Sequence, residues 1–152
     1  MKVQTLMTTD VGTCRPDTNL AVVAHLMWDK DCGFIPVVDA AATVVGVVTD
    51  RDICIATATR RLLAEHITAR EAMRSPVHTC HTDDTIAAVL AQMKASKVRR
   101  LPVVDKTGAL KGVISMNDIV LAAAANKGIT PAAIVGALAA ICEHQAPAAV
   151  AV

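Results

Sequence analysis

Ile35-Pro36-Val37-Val38-Asp39 and Leu101-Pro102-Val103-Val104-Asp105 are one five-residue motif written twice, sixty-six positions apart. One such pair carries little weight, so the reading works outward from it at the same offset. Toward the N-terminus Met27 meets Met93, Val23 meets Val89, Asp17 meets Asp83, Thr13-Cys14 meets Thr79-Cys80, Val11 meets Val77 and Met7 meets Met73. Toward the C-terminus Gly46-Val47 meets Gly112-Val113 and Asp52-Ile53 meets Asp118-Ile119. The same order at one ungapped offset is an internal repeat, and a repeat decides the architecture before any single element does.

Each copy reads the same way. Leu20, Val23, Ala24 and Met27, like Ile86, Val89, Leu90 and Met93, follow helical spacing, with Asp17 and Asp83 expected as caps. A short strand is expected before each helix, at Gly12 to Cys14 and His78 to Cys80. Two β-rich runs follow it, Ile35 to Val38 and Val44 to Thr49 in the first copy, Leu101 to Val104 and Leu110 to Ser115 in the second. Asp39-Ala40-Ala41-Ala42 and Asp105-Lys106-Thr107-Gly108 are their turns, the second carrying the stronger signal through its glycine. Second helices begin at Asp50 and Met116. The expected fold is α+β, with two tandem β-α-β-β-α units. One unit cannot cover both faces of so small a sheet, so the two are expected to pack on each other. The expected divisions are 1–59 for the first repeat, 60–70 for a linker, 71–126 for the second repeat and 127–152 for a helix and tail. In that last part Thr130-Pro131 reads as a helix start. Ile134, Val135, Leu138 and Ile141 then follow in a helix apolar nearly all round, expected to pack across the repeat pair or at a dimer interface. Ala146 to Val152 read as a frayed end.

Composition narrows the function classes. Of 152 residues 53% are hydrophobic, but Trp28 and Phe34 are the whole aromatic complement, so the core is built from Val, Ile, Leu, Ala and Met. The mean hydropathy of +0.45 is high for a monomer. The longest apolar stretch, Ile129 to Cys142, falls short of the roughly 20 residues a bilayer span needs, so the excess points to an oligomer interface rather than a membrane. Fifteen basic and fourteen acidic residues leave a net charge of +1, not the basic footprint of a nucleic-acid binder. The opening MKVQTLMTTD carries no signal region, and five cysteines without a CxxC suit a reducing compartment, so a cytoplasmic location is expected.

These features resemble the CBS (cystathionine β-synthase) domain family over roughly residues 3 to 125. The motifs that carry the resemblance are Leu6-Met7 with Ala72-Met73, the two Pro-Val-Val-Asp strands, and Gly46-Val47-Val48-Thr49-Asp50-Arg51-Asp52 with Gly112-Val113-Ile114-Ser115-Met116-Asn117-Asp118. The resemblance implies paired repeats packed with pseudo-twofold symmetry and two clefts between them, a flat homodimer, and a regulatory ligand such as AMP, ADP, ATP, NAD or S-adenosylmethionine. It implies no catalytic cofactor.

In the Gly-x-x-Thr/Ser-x-x-Asp pattern the hydroxyl ends a strand and the carboxylate enters a helix. A carboxylate facing vicinal hydroxyls accepts two strong hydrogen bonds, so Thr49, Asp52, Ser115 and Asp118 are the candidate ribose ligands. The same spacing is a helix capping box, useful with no ligand at all, and the two roles are compatible. By resemblance the residues before the Pro-Val-Val strand border phosphate or base. Arg99 and Arg100 are the expected phosphate clamp there, assigned to the Ser115/Asp118 cleft, with Arg51 able to assist at the other. The adenine walls are expected from Val11, Gly12, Cys32 and Gly33 for the Ser115/Asp118 cleft. Val77, His78, Val98 and Arg99 are expected to wall the Thr49/Asp52 cleft.

Other signals are weaker. His78, Cys80 and His81 alternate faces on a strand and are not expected to converge on a metal. Cys54 and Cys142 read as core residues and His25 as structural. No nucleophile–base pair or phosphate loop is present, so no enzyme activity is expected. The reading is an adenine-nucleotide-binding regulatory module acting on an unknown effector protein. The alternative is a ligand-free dimerisation or partner-docking module.

Overall fold

The computed structural model describes residues 1–125 and 128–143. Its elements repeat as the sequence does, except that the strand expected at Gly12 to Cys14 is reduced to a single bridge between Cys14 and Val37. Helix α1 (Leu20–Asp29) precedes strands β1 (Phe34–Val38) and β2 (Val44–Thr49) and helix α2 (Asp50–Arg60). After a short helix α3 (Ala69–Ala72), the second copy supplies β3 (Cys80–His81), α4 (Ile86–Ser96), β4 (Arg100–Val104), β5 (Leu110–Ser115) and α5 (Met116–Ala124). Helix α6 (Pro131–Cys142) follows. The expected frayed segment from Ala146 lies outside the described residues.

The two hairpins have one register. Phe34 faces Thr49, Val37 faces Gly46, and a bulge follows before Val38 meets Val44. Sixty-six residues on, Arg100 faces Ser115, Val103 faces Gly112, and a bulge precedes Val104 opposite Leu110. The motif aspartates close both turns: Asp39 Oδ1 accepts from the Ala41 and Thr43 amides, Asp105 Oδ1 from those of Thr107 and Ala109. The Thr107 hydroxyl and the Lys111 ammonium hold the Asp105 carboxyl below the usual carboxylate range. Ala42 takes φ +62° where the second turn places Gly108 at +85°, so the first turn carries the cost of a left-handed alanine.

Two expectations at the helix starts change. Asn19 and Thr85 cap α1 and α4, accepting from the Val22 and Ala88 amides, because the cap must directly precede the first helical residue. Asp17 and Asp83 stand two residues too early; Asp83 instead pairs with Lys2 at 2.9 Å. Cys54 and Cys142, expected in the core, are exposed.

The cores show an exchange. The first gathers Leu20, Val23, Ile35, Val37 and Val48, but also Ile67 and Ala69, with Met73 packed against it. The second gathers Val89, Met93, Leu101, Val103 and Ile114, but also Val3, with Leu6 and Met7 against it. Each copy's leading segment therefore completes the core of the other copy. Val3 and Gln4 donate backbone hydrogen bonds to Asp84 and Thr82, while Leu20 donates to Ile67 and Ala69 to Thr18. Part of the expected linker 60–70 is thus core. Backbone bonds also join the two turns, with Val44 donating to Gly108 and Leu110 to Ala42.

The crossing segments explain Gly46 and Gly112. A Cβ on Gly112 would stand 2.5 Å from the Thr8 carbonyl oxygen, whereas one on Gly46 would strike the Met73 side chain. These glycines admit a neighbouring segment of chain. Helix α6, capped by Thr130 with Pro131 in its first turn, lies against α4 and α5 rather than across the repeats. Ile134 and Ala137 are buried in the second core, with Leu138 and Ile141 packed beside them, while Val135 is exposed. The buried stripe follows i, i+3, i+4, i+7 spacing, and Val135 falls off it.

Two outcomes follow. Ile67→Ala is expected to cost about 2–5 kcal/mol in denaturant unfolding, the range for truncating a buried isoleucine, where a free linker would register nothing. Gly112→Ala is expected to cost about 1–3 kcal/mol and more than Gly46→Ala, because a backbone carbonyl yields less readily than a methionine side chain.

Candidate functional site

The fold opens two clefts between the copies, and most of their wall residues correspond at the repeat offset. The first, about 590 Å³, takes Val47, Thr49, Asp50 and Arg51 from the first copy. Arg74, Pro76, Val77 and His78 of the crossing segment and Ser96 to Arg100 before and into β4 complete its walls. The second, about 260 Å³, takes Val113, Ser115, Asn117 and Asp118, then Thr8, Asp10, Val11 and Gly12, then Lys30, Asp31, Cys32 and Phe34. The larger lies within the ~300–1,000 Å³ of small-molecule sites.

The floor of each cleft is a capping box. Thr49 caps α2 through the Asp52 amide, and Asp52 Oδ2 accepts from the Thr49 amide at 3.0 Å and hydroxyl at 2.6 Å. Ser115 and Asp118 repeat the box on α5, with amide and hydroxyl bonds of 2.8 and 2.6 Å to Asp118 Oδ2. The boxes differ at the other oxygen. Asp52 is 8% exposed and its Oδ1 accepts from Arg74 Nε at 2.9 Å. Asp118 is half-buried on the wall of the second cleft, and among the described residues its Oδ1 accepts no side-chain hydrogen bond.

Charge divides the clefts against expectation. The first is lined by Arg51, Arg74, Lys97, Arg99 and Arg100, with Asp50 as its one acidic lining residue. The second has Lys30 and Arg100 against Asp10, Asp31 and Asp118, and Lys30 is already held by both Asp10 oxygens at 2.8 Å. Arg99, expected both as phosphate clamp of the Ser115/Asp118 cleft and as a wall of the Thr49/Asp52 cleft, lines only the latter. The reason is the exchange: residues before β4 face β2, not their own β5. Arg100 reaches both clefts, and Phe34, its counterpart sixty-six positions earlier, also borders both.

The structure brings Thr49, Arg51, Val77, His78, Val98, Arg99 and Arg100 together at the first cleft, and Val11, Gly12, Cys32, Ser115 and Asp118 at the second. Gly33 is not on the second cleft's wall; it lies against Asp50, whose carboxylate a Cβ there would meet at 2.7 Å. Asp52 lies beneath the first cleft rather than on its surface. Arg74, Lys97 and Phe34 were missed. Phe34 was findable from Arg100 by the offset, and Arg74 from its place beside the repeated methionine Met73. The end of α6 leans on the rim: Lys97 Nζ meets Glu143 Oε2 at 3.5 Å and Arg99 Nη2 donates to Cys142 Sγ at 3.4 Å.

The remaining candidates are structural in their placement. Burial pushes the Cys14 thiol up to about 11, and burial, with Asp84 nearby, pushes that of Cys80 up to about 12, so both stay neutral. Among the described residues no group of three metal-ligating side chains is gathered, and no helix is long and apolar enough to cross a membrane.

Comparison with known proteins matches this arrangement. The family model of the CBS domain matches residues 3–58 and 69–125. The inosine-5'-monophosphate dehydrogenase of Mycobacterium tuberculosis is 35% identical over 114 residues, 75% of this chain but 21% of that enzyme. The chain thus spans about a fifth of the length of these mycobacterial relatives. The uncharacterized protein YlbB of Bacillus subtilis is 34% identical over 128 residues, 83% of this chain and 84% of that protein. Among solved structures, CBSX2 in complex with AMP superposes with a TM-score of 0.71 at 26% identity, over 83% of this chain and 98% of that one. A CBS domain pair in complex with 5'-methylthioadenosine and S-adenosyl-L-methionine shares the fold, with a TM-score of 0.76 at 23% identity over 83% and 98%. With both repeats matched and two clefts related by the repeat offset, the chain belongs to the CBS domain family as a tandem pair.

Proposed function

We propose that this chain is a regulatory module that binds an adenine nucleotide in the Thr49 cleft and does no chemistry on it. The observation that carries the reading is the density of cations there: Arg51, Arg74, Lys97, Arg99 and Arg100 line one cleft whose floor holds a Thr49/Asp52 box. Guanidinium groups bind phosphate oxygens in pairs, and the carboxylate beneath suits a ribose. AMP, seated in the CBSX2 pair, has both groups. ADP and ATP add phosphates that the same cations can neutralise, and NAD carries the same adenosine phosphate. Val77, His78 and Val98 supply the small wall for adenine. The Ser115 cleft, smaller and richer in carboxylates, suits an adenosine compound without phosphate, S-adenosylmethionine among them. Ligand binding biases one arrangement of the two repeats over another, and a separate effector protein reads that arrangement.

A second observation bears on assembly. Ile55 on α2 and Leu121 on α5, sixty-six positions apart, are 46% and 69% exposed, with Val120 beside the latter at 41%. Such a symmetric apolar pair of helices suits a homodimer, and the ligand-free dimerisation reading would keep it with the clefts idle. Light scattering is expected to give twice the chain mass, and Leu121→Lys to return it to one.

Thermal unfolding with AMP, ADP, ATP, NAD and S-adenosylmethionine separates sensor from scaffold. A ligand at one hundred times its dissociation constant adds about 2.7 kcal/mol of stability. AMP or a longer phosphate is expected to raise Tm in the parent protein, with most of the gain lost in Lys97→Ala/Arg99→Ala. No shift with any of the five, in protein freed of carried-over nucleotide, leaves the dimerisation reading.

A further inference from the structure

Arg74 is fixed at its backbone and free at its tip. Its amide donates to the Val47 carbonyl at 2.9 Å and its carbonyl accepts from the Val47 amide at 3.2 Å, pinning its Cα to β2. Its side chain is 63% exposed, lines the Thr49 cleft, and donates from Nε to Asp52 Oδ1. Because Asp52 Oδ2 is committed to Thr49, Oδ1 is the oxygen a vicinal diol must take. Oδ1 has two acceptor directions; the two hydroxyls of the diol need both, and Arg74 Nε takes one, so a fully bound ribose must displace it.

We infer that Arg74 is the residue that selects phosphorylated over unphosphorylated adenosine compounds in the Thr49 cleft, holding Asp52 until a phosphate draws the guanidinium away. An uncharged nucleoside must break a charge-assisted bond to a buried carboxylate and offers the freed guanidinium nothing in return. A nucleotide breaks the same bond and supplies phosphate oxygens as the new partner. The pinned backbone keeps the freed guanidinium within the cleft while it turns. The second cleft is a built-in comparison. Thr8 occupies the position equivalent to Arg74, with the same two backbone bonds to Val113 at 2.9 Å, but brings no cation, and among the described residues Asp118 Oδ1 accepts no side-chain hydrogen bond. The selection belongs to one cleft only.

This rests on the ligand reading of the Thr49 cleft, and the test separates the two. Calorimetric titration of the full chain with adenosine and with AMP is done in an Asp118→Asn background. That change weakens the other cleft while leaving an acceptor for the Ser115 amide. The parent is expected to prefer AMP. Arg74→Ala is expected to tighten adenosine about tenfold and to weaken AMP, each by the scale of one charged hydrogen bond, so the preference collapses. Arg74→Gln, which keeps a donor to Asp52 without the charge, is expected to weaken AMP while tightening adenosine less. Parallel changes for both ligands in both variants, or none, overturn the selection and leave the binding reading standing. A parent that binds neither compound overturns both.

Discussion

The reciprocal crossing of the two leading segments is the constraint on which the rest depends. Val3 is buried in the second core and Ile67 in the first, each fully removed from solvent. Neither copy completes its core without chain from the other, so the pair folds as a unit and its relative orientation is set by packing rather than by a tether. The crossings also make the clefts. Once Thr8 pairs with Val113 and Arg74 with Val47, the residues that follow each must run along the mouth of the opposite hairpin. There Val11 and Gly12 face Ser115, and Val77 and His78 face Thr49. Gly46 and Gly112 are where the hairpins make room for those crossings.

A duplicated frame with this geometry tolerates divergence at the walls because wall residues carry little of the packing. The cores of the two copies remain aliphatic at matching positions, whereas the clefts have exchanged charge almost throughout. Arg74 stands for Thr8, Pro76 for Asp10, Lys97 for Asp31, Arg99 for Gly33 and Arg51 for Asn117. None of these changes touches a buried hydrophobic contact. Each alters the field that a ligand phosphate meets in a confined, partly desolvated space, where charge counts for more than on an open surface. One backbone thereby presents two clefts of opposite charge balance.

Much of this was legible in the sequence, for a physical reason. An ungapped repeat forces a common register, so β2, β5 and the starts of α2 and α5 fall where period and capping chemistry place them. The resemblance set the adenine walls on the opposite copy, and the clefts agree except at Gly33; what the sequence did not show was which cleft the cations before β4 line. The offset pairs residues by symmetry, not by contact, and the assignment of Arg99 as clamp failed there: the residue belongs to the second repeat and lines the cleft floored by the first. The cap positions failed on a smaller scale, because Asp17 and Asn19 both have suitable side chains and only the backbone decides which one the helix begins after. Arg74 carried no motif of its own, and its meaning rests on reaching Asp52 across the crossing.

The choice between capping box and ligand site dissolves at the level of single atoms. A carboxylate offers about four lone-pair directions on two oxygens. In both copies Oδ2 takes the amide and hydroxyl of the capping residue, which fixes the rotamer of the aspartate and the first turn of the helix. That commitment leaves Oδ1 directed away from the cap. Holding the carboxylate rigid by one oxygen is what makes the other a positioned acceptor, since a free side chain would lose rotamer entropy on meeting a ligand. Under the proposed ligand reading, the cap is the support of the site rather than its rival. The two copies then diverge at the remaining oxygen: among the described residues that of Asp118 accepts no side-chain hydrogen bond, and that of Asp52 accepts from Arg74.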